Sequence, residues 1–179
     1  MTRPHPFAQD NIRYLQQGLE LLAALPDSLY VQVCAAAGGS NIGGHVRHIL
    51  DHYQCFLDGL VTQRIDYDAR RRDLRVESER TTAADALRAT LRALDELHVE
   101  DGLRALEVRM DCGGSPEERH VWGGSSVARE LQFLTSHTVH HYALIAAILR
   151  QAGHVPAPGF GVSPSTLRYE AQRRQKEAG

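Results

Sequence analysis

The sequence predicts an all-α chain: a four-helix bundle with a small β-hairpin excursion between its third and fourth helices. Three observations carry this. Four segments repeat apolar residues at spacings of three and four, the signature of a helix with one buried face. Capping or breaking residues bound these segments. Only the stretch from 103 to 122 alternates instead, in the manner of strands. The chain has 179 residues, enough for one domain with a sizeable core. Residues 1–179 therefore read as a single domain, with 153–179 a tail packed on the bundle.

The first helix is expected over residues 8–25, where Ile12, Leu15, Leu19 and Leu22 share a face and Pro26-Asp27 ends the run. Residues 27–40 read as a loop with a short extended piece at Leu29–Val33. The second helix is expected from Ile42 to Val61, capped by Ser40 or Asn41, whose side chains can accept from first-turn amides. The charged connection Asp66–Asp73 reads as a solvated or internally paired surface, with an anionic-substrate wall or a dimer contact as its functional alternatives.

The third helix is expected from Thr82 to His98, opened by a capping box at Thr82–Asp85, with His98 alone at its end in a structural or surface role. Leu106–Met110 alternates, the Gly/Pro run after Cys112 breaks the chain, and Arg119–Trp122 resumes. Gly123–Ser126 closes this excursion and supplies a serine cap for the fourth helix, Val127 to Gln151, which stops at Gly153. Residues 156–169 are too apolar for a loose end and are expected to pack on the bundle, whereas 170–179 are polar enough to fray.

Composition narrows the function classes. A net charge of −2 argues against a dedicated nucleic-acid binder. No apolar run reaches the length of a membrane span, and the first six residues do not begin a signal peptide, so a cytoplasmic protein without a membrane partner is expected. Cys34, Cys55 and Cys112 are widely spaced and form no CxxC, which excludes a disulfide framework and a thiolate zinc site.

The surplus residue is histidine, with ten in the chain, clustered in two helices. His137 and His141 stand one turn apart on the fourth helix, so both imidazoles can reach one metal ion. His45, His48 and His52 on the second helix fall near one strip and offer a third ligand. Periodicity favours His45 or His52, which lie closer to the apolar stripe. His140 points to the far side of His137 and is not expected to ligate. Imidazole suits zinc, nickel, copper or iron. Three neutral ligands leave an open coordination position and an uncompensated dipositive charge, which lowers the pKa of a bound water or thiol. A carboxylate-bridged di-iron centre needs Glu-x-x-His on two helices. The one such run, Glu117-Glu118-Arg119-His120, lies in a Gly/Pro loop. HExxH, GxSxG, P-loop and GxGxxG patterns are absent.

The order of these parts, Ser40-Asn41-Ile42-Gly43 leading into His48-Ile49-Leu50-Asp51, and much later His137-x-x-x-His141 on the last long helix, resembles the DinB/YfiT-like family of metal-dependent helical proteins. The resemblance covers most of the chain and implies a divalent metal, zinc or nickel, on His48, His137 and His141, with His52 as the alternative on the second helix. His45, His52 and His140 would then orient ligands or relay protons. It further implies a homodimer acting on a small-molecule substrate, either as a transferase or isomerase using a low-molecular-weight thiol or as a hydrolase. A non-catalytic metal- or ligand-binding protein is the other class implied. In the maleylpyruvate isomerase branch one fourth-helix ligand is Glu; here both positions are His. Arg70, Arg72 and Arg129 are the candidates for holding an anionic substrate.

Overall fold

Helix α1 (Pro6–Ala24) begins two residues before the periodic run, because His5 caps it: Nδ1 accepts from the Phe7 amide at 3.1 Å. The computed structural model describes residues 5–35, 38–111, 113 and 121–177; Cys112 and the Glu117–His120 run lie outside them. The chain is mostly helical with a small three-stranded sheet.

Helix α3 (Ile42–Thr62) starts where Asn41 accepts from the Gly44 amide at 2.6 Å, which settles the cap between the two candidates. Helix α5 (Arg80–Asp95) and helix α6 (Val127–Gln151) complete the four long helices. Among these four, α1 packs on α5 and α6, and α3 packs on the same two. The apolar stripes read from the sequence are the faces that meet: Leu15 and Leu22 of α1, Ile49 and Phe56 of α3, Leu87 and Leu94 of α5, and Leu131, Leu134 and Ile145 of α6 are all buried. Each such side chain contributes about 1.5–3 kcal/mol on burial.

One polar network crosses this core. Tyr53 donates to Asn11 Oδ1 at 2.6 Å, and Asn11 Nδ2 donates to the Leu131 carbonyl at 2.9 Å. Tyr53 also meets Thr138 at 3.2 Å. Helices α1, α3 and α6 are thereby tied together one turn from the histidines, with every partner buried.

Several shorter elements differ from expectation. Leu29–Val31 is not extended: helix α2 (Asp27–Val31) occupies it behind the Pro26 N-cap, and of the expected extended piece Gln32 is extended. The Thr82 capping box does not start the third long helix. It begins at Arg80, and Thr82 instead donates its hydroxyl to Glu79 Oε2 at 2.6 Å. That helix ends at Asp95, so His98 lies past it, at the N-cap of the 3₁₀ turn Val99–Leu103. Residues 170–177 are helical, part of helix α7 (Pro164–Glu177), which buries no residue.

The β excursion is larger than a hairpin. Strand β1 (Arg64–Asp66), which leads into the charged connection, runs parallel to β2 (Ala105–Arg109). Strand β3 (Gly123–Ser126) pairs antiparallel with β2, so the serine-rich stretch expected to close the excursion is itself the strand. It runs straight into α6, where Ser126 caps the helix by accepting from the Arg129 amide at 3.3 Å. The sheet thus fixes both the exit of α3 and the entry of α6. The arginine run is paired mostly with neighbouring elements: Arg70 donates to the Tyr67 carbonyl within it, but Arg71 pairs with Asp58 of α3 and Asp66 with Arg109 of β2. Helix α4 (Leu74–Ser78) follows, capped by Asp73, and lies across α3. In the tail, Phe160 is buried and stacks on Tyr142 of α6 at 4.6 Å.

Candidate metal centre

Helices α3 and α6 carry all the clustered histidines and pack antiparallel. His45 faces His141 while His48 faces His137, so numbers rise along one helix as they fall along the other. The i, i+3, i+7 spacing on α3 and the i, i+4 spacing on α6 turn both sets toward this seam.

His48 Nε2 and His137 Nε2 stand 3.1 Å apart. Two ligands held at about 2.0–2.1 Å from a tetrahedral ion are separated by about 3.3 Å, so this pair is already close to coordinating distance. The ring of His52 lies 4.0 Å from that of His137, and the ring of His141 lies 4.6 Å from those of both His48 and His137. One nitrogen each of His48, His52 and His137 lie within 4.8 Å of one another, a cluster that could hold a divalent metal.

The hydrogen bonds fix part of the tautomer pattern. His52 Nδ1 sits 2.8 Å from the His48 carbonyl. A carbonyl can only accept, so Nδ1 of the neutral ring carries the proton and Nε2 keeps its lone pair. That is the arrangement of a metal-ligating histidine, whose other nitrogen donates to the backbone. His137 Nδ1 is buried without a partner among the described residues. A buried polar atom left so costs about 1–3 kcal/mol; a water relieves it, while Nε2 of the same ring faces His48 and is the atom placed to ligate. The donor set therefore fits a divalent transition metal.

The electrostatics agree. Burial, and then the neighbouring imidazoles, hold the rings neutral: His48 is lowered to about 4, His141 to about 3 and His137 to about 2. His45 and His52 are lowered too, with burial the main cause. At neutral pH each of the five rings is uncharged and keeps one lone pair, and the cluster of His48, His52 and His137 contains no carboxylate.

The site opens on a cavity of about 340 Å³ lined by Ser40, Asn41, His45, Arg47, Glu77 and His141, with His48 at its inner wall. Arg47 donates to Glu77 Oε2 and to Asp51 Oδ2, both at 2.8 Å, which pins α4 over α3. On the other side His52 stacks on Tyr67 at 5.4 Å, and the Tyr67 hydroxyl donates to the buried carboxylate of Glu130 at 2.9 Å.

The seam brings together His48, His137 and His141, and also His45 and His52. The ring of His140 lies 5.1 Å from that of His141, and His140 does not line the cavity. Arg70, Arg72 and Arg129 do not line the cavity; Arg47 does. Sequence reasoning missed Glu77, because it stands on a five-residue helix too short to show periodicity. It also missed the His45–His141 pairing, although the antiparallel match of the two histidine spacings carried that signal.

These features define a helical protein with a histidine-built, metal-type site between two antiparallel helices. The family model described as "DinB family" matches residues 5–163, and the chain belongs to that family. A curated protein from Rhizopus delemar named "FK506-binding protein 5" is 30% identical over 108 residues, covering 59% of this chain and 27% of that protein. The chain thus spans about a quarter of that relative's length. No solved structure matches the chain.

Proposed function

We propose that the chain is a metal-dependent enzyme, with a divalent transition ion, zinc or nickel, held by His48, His137 and His141. The observation that carries this reading is the 3.1 Å approach of His48 Nε2 to His137 Nε2 within a ring of neutral imidazoles. His52, whose tautomer leaves Nε2 free, is the ligand that local geometry favours beside or in place of His141. When bound, an ion on neutral ligands supplies uncompensated positive charge that makes a bound thiol or water nucleophilic near neutral pH.

The rest of the chemistry belongs to this chain's own groups. Burial keeps the ligand rings unprotonated. The cavity admits a small-molecule substrate to the side of the cluster nearest His45 and His141. Arg47 is engaged by two carboxylates, so it offers a substrate anion little free charge, and Asn41 and Glu77 remain as polar walls for orientation. The reaction class is thiol transfer or hydrolysis, with a low-molecular-weight thiol as co-substrate in the first case. The architecture in which this happens is a four-helix bundle of α1, α3, α5 and α6, one domain over residues 1–179 with its tail packed on it, acting in the cytoplasm as a homodimer.

The test is a panel of electrophiles with several low-molecular-weight thiols, run on metal-loaded and metal-free protein. Turnover is expected only in loaded protein and is lost, together with the metal, in His137→Ala. Full turnover by metal-free protein contradicts the reading. Metal binding with no turnover across the panel favours a non-catalytic binding protein.

A further inference from the structure

His45 is the one α3 histidine of the seam whose ring is linked at both nitrogens. Nδ1 lies 3.0 Å from His141 Nδ1, and Nε2 lies 3.1 Å from Ser40 Oγ. Two ring nitrogens that close cannot both present lone pairs; one carries the proton. Only two neutral arrangements satisfy the row. In one, Ser40 donates to His45 Nε2 and His45 Nδ1–H donates to His141 Nδ1, which places the second proton of the row on His141 Nε2 and blocks that atom as a ligand. In the other, His141 Nδ1–H donates to His45 Nδ1 and His45 Nε2–H donates to Ser40, which leaves the His141 Nε2 lone pair free.

We propose that His45 is the positioning residue for His141: as acceptor of the His141 Nδ1 proton it fixes the tautomer and ring orientation that present Nε2 to the metal. This rests on the reading of His141 as a ligand. The far end of the row is anchored. The Cys34 amide donates to the Ser40 carbonyl at 2.9 Å in an isolated antiparallel bridge, and Asn41 next to it caps α3. The row therefore ties Ser40, and through it Cys34, to the metal site along the wall of the substrate cavity. It takes the role that a carbonyl or carboxylate has at other histidine ligands, and that the His48 carbonyl has for His52 here.

The experiment uses Co²⁺ as the probe, with affinity read by chelator competition and ligand geometry by visible absorption. His45→Leu and His45→Asn are similar in size and differ in the acceptor, since an Asn Oδ1 stands about where Nδ1 does. His45→Leu is expected to weaken Co²⁺ about 10- to 100-fold and to shift the absorption bands, with one ion per chain still bound. His45→Asn recovers most of the affinity and the parent spectrum. Ser40→Ala, which keeps the His45 ring and removes only the far partner of the row, is expected to show a smaller loss of the same sign. Equal affinities and spectra for His45→Leu, His45→Asn and the parent, with the ion lost in His141→Ala, overturn the positioning role alone. Undiminished affinity in His141→Ala overturns the ligand assignment beneath it.

Discussion

Single residues decide whether the seam can take a metal. His48 and His137 approach nitrogen to nitrogen at 3.1 Å, and burial keeps both neutral. Placing five imidazoles side by side requires rigid helices behind them, and the Asn11–Tyr53–Thr138 network supplies part of that rigidity. Asn11→Ala removes the acceptor Tyr53 meets at 2.6 Å and leaves the Leu131 carbonyl without the Asn11 donor. A loss of about 1–3 kcal/mol in urea unfolding is expected. An unchanged midpoint would show that the network carries no stability. This residue was not legible as special: an Asn inside a periodic helix looks like a solvent position until α6 is laid against it.

At the scale of elements, the approach of α4 to α3 depends on the absence of a side chain. A Cβ on Gly43 would stand 2.0 Å from the Glu77 carbonyl and 2.9 Å from the Tyr30 ring. Gly43→Ala must push α4 outward, and with it Glu77 and the Arg47 bridge that close the cavity. We expect a lower melting temperature, and weaker substrate binding with metal content retained. A melting temperature and substrate affinity equal to the parent's would mean α4 is not held this closely. The long elements were readable because each is a periodic run, and their ends were read best where a side chain caps them, as Asn41 and Ser126 do. Helix α6 runs from Val127 to Gln151 as expected, and α3 differs by one residue. The short ones were not. Strand β1 has three residues and α4 has five, too few for either period to appear. The parallel pairing of β1 with β2 joins segments about forty residues apart, which no local pattern encodes. Within the site, the i, i+4 pair and the three α3 histidines were legible from spacing. Which of them meet was not, because it depends on the register of two antiparallel helices.

At the scale of the whole molecule, the histidine seam links stability to pH. In the folded, metal-free chain, His48, His137 and His141 titrate below their ordinary value of 6.5, at about 4, 2 and 3. Below pH 6.5 the unfolded chain therefore binds more protons than the folded one, and stability falls as pH falls. The urea midpoint of metal-free protein should drop steadily from pH 7 to pH 4.5, and His137→Ala should drop less steeply. Equal slopes would mean that His137 is not held neutral by the fold. Added metal should raise the midpoint most near neutrality, where protons compete least. The central claim, that this seam is a metal site, is tested most directly by metal content per chain in protein purified without a histidine tag, beside His48→Ala, His52→Ala, His137→Ala and His141→Ala. About one equivalent of zinc or nickel is expected in the parent, lost in His48→Ala, His137→Ala and His141→Ala. Retention in His141→Ala with loss in His52→Ala would move the third ligand to His52. No metal in the parent, even after incubation with zinc or nickel, would contradict the account.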